Sequence, residues 1–274
     1  MDIGKYGSKK WKKNYIQQLD TDNKQKVKDF LLETALQEDY VYKYYRGINR
    51  DFTTISEPAL WLCNAFYLND PFDSYFSLKT EADSDPTEAK WKQIVQDTKA
   101  RNMQRTIFLA SFSERSDSIL MWSHYANNHC GVCIGYSLKE LIEKYDFFPV
   151  VYDEMLPQYA DGSSELKEIL TKYTDWSYEK EWRLIQKDEK GLALEGKKIP
   201  FIKPREIILG CKNNDLIFNS NKGRTRYGNL TEEEKMLLEA DADDFINYAH
   251  ELGQNCYEYV MQADSFALKP RIRL

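Results

Sequence analysis

Long apolar runs are missing from this chain of 274 residues, so no segment is expected to cross a membrane as a helix. The start is equally unsuited to export. Asp2, Gly4, Lys5, Lys9 and Lys10 stand where a signal peptide has its apolar stretch, which predicts a cytoplasmic protein. Cysteines number five (63, 130, 133, 211 and 256). An odd, widely spread set makes no disulfide framework, and reduced thiols are expected. Neither GxGxxG nor GxxxxGK occurs, which argues against an ordinary nucleoside triphosphatase or Rossmann dehydrogenase. There is no GxSxG and no convincing Ser/His/Asp order. No internal repeat or low-complexity linker is found. A positive balance is also lacking. The net charge is −6, so whole-molecule affinity for nucleic acid is not implied. Lys9, Lys10, Lys12 and Lys13, and the loop residues Lys222, Arg224 and Arg226, are local exceptions. Each reads first as a solvated basic face.

What is present suits a globular chain. Hydrophobic residues make up 42% and charged residues 30%, enough for a sizeable core. Aromatics reach 14%, with 19 Tyr and 6 Trp. They imply a Tyr-rich core and rim, or stacking surfaces for planar ligands.

The coarse pattern is α+β. Residues 9–38 carry apolar residues at helical spacing, with Asp20 or Thr21 as N-cap of a second helix. YVYKYYR at Tyr40–Arg46 reads as a strand ended by Gly47. Asn69–Asp73 (NDPFD) is a turn by its chemistry. A polar helix is expected at 86–101, strands at 106–112, 131–136, 149–152, 181–186 and 205–210, and helices at 118–127, 137–144 and 166–173. The tail carries helices near 231–239 and 241–255 and a strand near 267–273. We expect a mixed, mainly antiparallel sheet core over 40–211, a helical extension over 1–39 and a helical segment over 212–274.

Three segments can carry chemistry. His124, His129, Cys130 and Cys133 form HxxxxHCxxC, but an extended Cys130–Tyr136 turns the two thiols to opposite faces. Zinc is therefore not expected, and Cys133 reads as core. His124 and His129 read as structural histidines or as residues lining a cleft. In YEKEWRLI, strand alternation aligns Glu179, Glu181 and Arg183 on one face, with Trp182 and Leu184 on the other. Two close carboxylates can raise one pKa, and Arg183 can hold a carboxylate or a phosphate. The alternative is an exposed sheet face with an ion pair. In YVYKYYR, Lys43 and Tyr45 share one face, Tyr44 and Arg46 the other. They suit a phosphate and a ring, or else form a Tyr-rich edge strand. The NDPFD turn places Asn69, Asp70 or Asp73 at a pocket rim.

YKYYR, NDPFDS, MWSHYANNHCGVCIGY, YEKEWR and REIILG together resemble a widespread bacterial domain family of unassigned function, over about 40–210. The order of features is also similar to ADP-ribosyltransferases of the DarT type. That resemblance implies an ADP-ribosyltransferase-like core and an NAD-consuming transferase or glycohydrolase. A bacterial toxin or phage-defence effector modifying nucleic acid or protein is implied too, with a cognate antitoxin or immunity partner. NAD is then substrate and no metal is needed. Glu181 would be catalytic with Glu179 beside it, in an ExE arrangement. Lys43 or Arg46 would hold the pyrophosphate, Ser111 or Ser113 the ribose (with Tyr125 as an outside candidate), and Tyr44 or Trp122 the nicotinamide. His124, His129 and Arg183 would line the same cleft. The first strand has no His, which departs from that family's pattern. The competing expectations are a non-catalytic nucleotide or nucleic-acid binding or sensor module, and a carboxylate-dependent hydrolase or nuclease.

Overall fold

The computed structural model describes residues 8–21, 23–35, 39–47, 49–78, 85–159, 165–188, 190, 195–212 and 242–273. The basic loop Lys222–Arg226 and the helix expected near 231–239 lie outside the described residues. In chain order the elements are α1 (Lys9–Leu19), α2 (Lys24–Leu32), β1 (Tyr40–Tyr45), α3 (Asn49–Ser56), β2 (Ala59–Asn64), β3 (Ser77–Leu78), α4 (Pro86–Thr106) and β4 (Ile107–Ser113). Then come α5 (Ile119–Tyr125), β5 (Val132–Ser137), α6 (Leu138–Lys144), β6 (Phe147–Pro149), β7 (Val151–Asp153) and β8 (Gln158–Tyr159). These are followed by α7 (Glu165–Leu170), β9 (Thr171–Tyr173), β10 (Glu181–Lys187), β11 (Gly196–Pro200), β12 (Glu206–Leu209), α8 (Ala242–Glu251), β13 (Cys256–Met261) and β14 (Leu268–Arg273). The fold is mixed α and β with mainly antiparallel pairing, as expected. No described helix is long and apolar enough to cross a membrane.

The chain divides into two compact units. The first comprises the described residues within Met1–Gln37, Trp61–Ser111 and Leu138–Lys197. Its centre is β10, which pairs with β4 and runs antiparallel to β6 in the register Trp182–Pro149 and Leu184–Phe147. Trp182 and Leu184 are buried, as alternation predicts. Trp182 stacks on Phe147 with ring centres 5.4 Å apart. β4 also pairs with β2. Two short parallel pairs, β3 with β8 and β7 with β9, belong to the same unit. The N-terminal helices pack here: Tyr15 is buried and donates from its hydroxyl to the Pro149 carbonyl at 2.9 Å. Asn23, rather than Asp20 or Thr21, caps α2, accepting from the Lys26 N–H at 3.1 Å.

Helical spacing misleads once in this unit. Residues 166–173 are expected to be one helix, yet α7 ends at Leu170 and β9 follows at once. The β-branched Thr171 starts the strand, which pairs with β7.

The second unit comprises the described residues within Glu38–Leu60, Phe112–Ser137 and Lys198–Leu274. Its sheet runs β1-β5-β12-β13-β14, antiparallel except for the parallel β12–β13 pair. All six residues of β5 are buried, Cys133 completely. The tail therefore holds more than helix: β13 and β14 extend the sheet beside α8. In β13, Cys256, Glu258 and Val260 face one side and Tyr257, Tyr259 and Met261 the other.

Candidate functional site

Five charged side chains meet in the interior of the first unit. Arg183 on β10 grips Asp73 through both terminal nitrogens at 2.7 Å. Its Nε donates to Glu181 Oε1 at 2.8 Å and its Nη2 to Glu181 Oε2 at 3.1 Å. A further bond runs from Nη1 to the Ile169 carbonyl at the end of α7, at 2.6 Å. Lys172 on β9 donates to Glu179 Oε2 at 2.6 Å and to Glu181 Oε2 at 3.0 Å. All five are buried, Arg183 to 1% exposure. Three carboxylates against two cations leave a formal charge of −1, held in place only because each group has ionic partners.

Local chemistry explains how these groups converge. Asp70 closes the NDPFD turn by accepting from the Phe72 N–H at 2.9 Å. Ser74 follows with φ of 54°. That turn sends Asp73 inward, where Gln104 on α4 donates to its carbonyl at 3.0 Å. Lys180 is left-handed as well, with φ of 47°. It separates the 3₁₀ turn Thr174–Glu179 from β10. Left-handed backbone at non-glycine residues is uncommon, and here it stands beside both arms of the cluster.

Two sequence expectations are corrected. Glu179 is not on the strand face with Glu181 and Arg183, because the left-handed Lys180 breaks the alternation; it reaches Glu181 through Lys172 instead. Nor does the carboxylate pair raise the pKa of Glu181. Burial pushes it up, but the charges of Arg183 and Lys172, with hydrogen bonds from Arg183 and Ser111, outweigh burial and bring it down to about 2. Lys172 shows the converse balance. Burial opposes its charge, yet Glu181, Glu179 and Asp73 lift its pKa above the ordinary value.

A cleft of about 470 Å³ opens beside this cluster, within the first unit. The NDPF turn, the 153–157 loop, β9 and Trp176 line it. Asn69 and Asp70 are at the cleft as the turn predicted, whereas Asp73 is withdrawn into the cluster. Lys172 alone belongs to both cluster and cleft, its ammonium 4.8 Å from the Trp176 ring centre. Neither Lys172 nor Trp176 was singled out in sequence; the mistaken helix over 166–173 hides the first.

The remaining sequence candidates fall into two groups. Ser111 is in the first unit, exposed on β4, with its hydroxyl bonded to Glu181. Lys43, Tyr44, Arg46, Ser113, Trp122, His124, Tyr125 and His129 are in the second. There Tyr44 and Trp122 are buried edge to face, ring centres 5.3 Å apart. The Tyr44 hydroxyl donates to the Arg115 carbonyl at 2.7 Å. Lys43 lies 5.3 Å from the Phe112 ring centre, and Arg46 is exposed beyond β1. Ser113 accepts from the Arg115 N–H at 3.1 Å. His124 meets Tyr125 edge to face. His129 stacks on Trp122, pairs with Ser123 at 3.0 Å and lies 3.8 Å from the Cys211 sulfur. No group of three or more His, Cys, Asp or Glu among the described residues is placed to hold a metal ion.

Residues 121–184 match the model of a family described as a protein of unknown function (DUF2971). That span includes Lys172, Trp176, Glu179, Glu181, Arg183 and the 153–157 loop. No curated protein and no solved structure matches the chain.

Proposed function

We propose that this chain is a binding or sensing module that seats a small molecule in the cleft of the first unit. One observation carries the reading: of the five buried charged groups, only Lys172 lines the cleft. Glu181 has its carboxylate taken up by Arg183, Lys172 and Ser111 and is 3% exposed. A carboxylate so held is poor at reaching a substrate atom but good at fixing Lys172. The cleft volume falls in the range of roughly 300–1,000 Å³ usual for small-molecule sites. The cluster then acts as a rigid floor.

The test is calorimetric titration of the full chain with a panel of nucleotides, nucleosides and amines, beside Trp176→Leu and Glu181→Gln. The reading expects a ligand whose affinity falls at least about ten-fold in Trp176→Leu, the loss typical of removing an aromatic anchor. Glu181→Gln should still bind it. Absence of any ligand, or binding indifferent to Trp176, overturns the reading.

A second reading has one observation in its favour. The exposed Ser111 hydroxyl donates to Glu181, which stays ionised. An ionised carboxylate beside a ribose-positioning serine suits an oxocarbenium-like transition state. Under this reading the chain is an NAD-consuming ADP-ribosyltransferase or glycohydrolase, with Glu181 catalytic. NAD turnover abolished in a folded Glu181→Gln variant distinguishes the two.

A further inference from the structure

We propose, resting on the binding reading above, that the cleft selects a small organic cation with a flat, apolar body, of the N-alkylpyridinium class. Three observations meet at this cleft.

The first is charge. Asp70, Asp153 and Glu154 line it, and among the described residues that line it Lys172 is the one cation. The Lys172 ammonium is already matched by Glu179 at 2.6 Å and Glu181 at 3.0 Å. Asp70 and Asp153 each use one oxygen on their own turn, accepting from the Phe72 N–H at 2.9 Å and the Met155 N–H at 3.1 Å. Neither turn bond neutralises the carboxylate. A cleft lined by one sign of charge focuses its field and concentrates the opposite sign. A phosphate entering here would face three carboxylates, and the one cation among the described lining residues is already held by Glu179 and Glu181.

The second is the wall. Phe72, Tyr173 and Met155 are large apolar groups at the cleft, exposed to 61%, 48% and 76%. Apolar surface gathered at one opening marks a place where something docks. Aromatic faces beside carboxylates recognise cations with an apolar body, because ring quadrupole and carboxylate attract the same charge.

The third is internal precedent. The Trp176 ring already carries a cation over it, the Lys172 ammonium at 4.8 Å. That contact shows the Trp176 ring holding a cation at the edge of this cleft.

The experiment is calorimetric titration of the full chain at low salt with three probes of similar reach: N-methylpyridinium, neutral pyridine and AMP. The proposal expects N-methylpyridinium to bind at least ten-fold more tightly than pyridine, with AMP weaker than either. It expects Asp153→Asn/Glu154→Gln to weaken N-methylpyridinium several-fold at an unchanged thermal midpoint, and Trp176→Leu to weaken it further. AMP binding best, with sensitivity to Trp176→Leu, overturns the cation inference and leaves the binding reading standing. Equal affinity for pyridine and N-methylpyridinium also overturns it. If none of the three binds, the cation inference fails, and the wider panel of nucleotides, nucleosides and amines decides the binding reading.

Discussion

Arg183 and Asp73 stand 110 positions apart in sequence and are joined by a two-pronged ion pair, with both guanidinium terminal nitrogens 2.7 Å from carboxylate oxygens. The pair ties the NDPFD turn to the centre of the first unit's sheet. It also sets the position of Glu181, which shares the same guanidinium.

Removing one member of so buried a network leaves the others uncompensated. Arg183→Met is expected to destabilise the chain by about 3–5 kcal/mol, the range for breaking a buried ion pair from one side. Asp73→Asn combined with Arg183→Met should cost less than the sum of the two single changes. Denaturant unfolding of the four proteins checks both statements.

Glu181 makes the cluster sensitive to acid. Its folded-state pKa of about 2 lies below the ordinary value of 4.5. A depressed carboxylate stabilises the fold fully above its unfolded value and loses that contribution as pH falls toward the folded one. Stability of the native chain should therefore decline between about pH 4.5 and 2. Glu181→Gln should decline less over that window, as read from unfolding midpoints at stepped pH.

Lys172 is one of the two cations holding Glu181 down, after Arg183. In Lys172→Met the Glu181 pKa is expected to rise and acid unfolding to begin at higher pH. Carboxyl chemical shifts of Glu181 followed against pH read this directly.

In the second unit, Gly131 precedes β5 where the chain leaves a run of left-handed residues, Asn127, Asn128 and His129. A Cβ there would collide with the Tyr45 carbonyl oxygen and come within 3.0 Å of the Ala126 backbone. Both obstacles are main chain and cannot swing aside. Gly131→Ala should cost about 1–3 kcal/mol, the usual penalty of overpacking, measurable as a lowered thermal midpoint.

Sequence periodicity found most of this fold. β1, β4, β5, β10 and β12 were legible because each is a short apolar or aromatic run bounded by turn chemistry. What failed did so for identifiable reasons. Leu166, Ile169, Leu170 and Tyr173 keep helical spacing across a boundary that only the pairing of β9 with β7 reveals. Lys180 looks like an ordinary strand residue, and nothing in its type announces a left-handed turn. The site was legible in part. Glu181, Arg183, Glu179 and the NDPFD turn were singled out, but the pairing of Arg183 with Asp73 was not, since contact across 110 positions leaves no local trace. Lys172 and Trp176 went unnoticed for the same reason: each matters through what the fold brings to it.

Under the binding reading Glu181 anchors Lys172 and acts on no substrate. The most direct measurement is incubation of the full chain with NAD labelled on its adenylate phosphate, alone and with DNA, RNA and cell lysate. On that reading no transfer of label and no release of free ADP-ribose are expected under any of these conditions. Transfer or release by the native chain, lost in a Glu181→Gln variant that still folds, would contradict it.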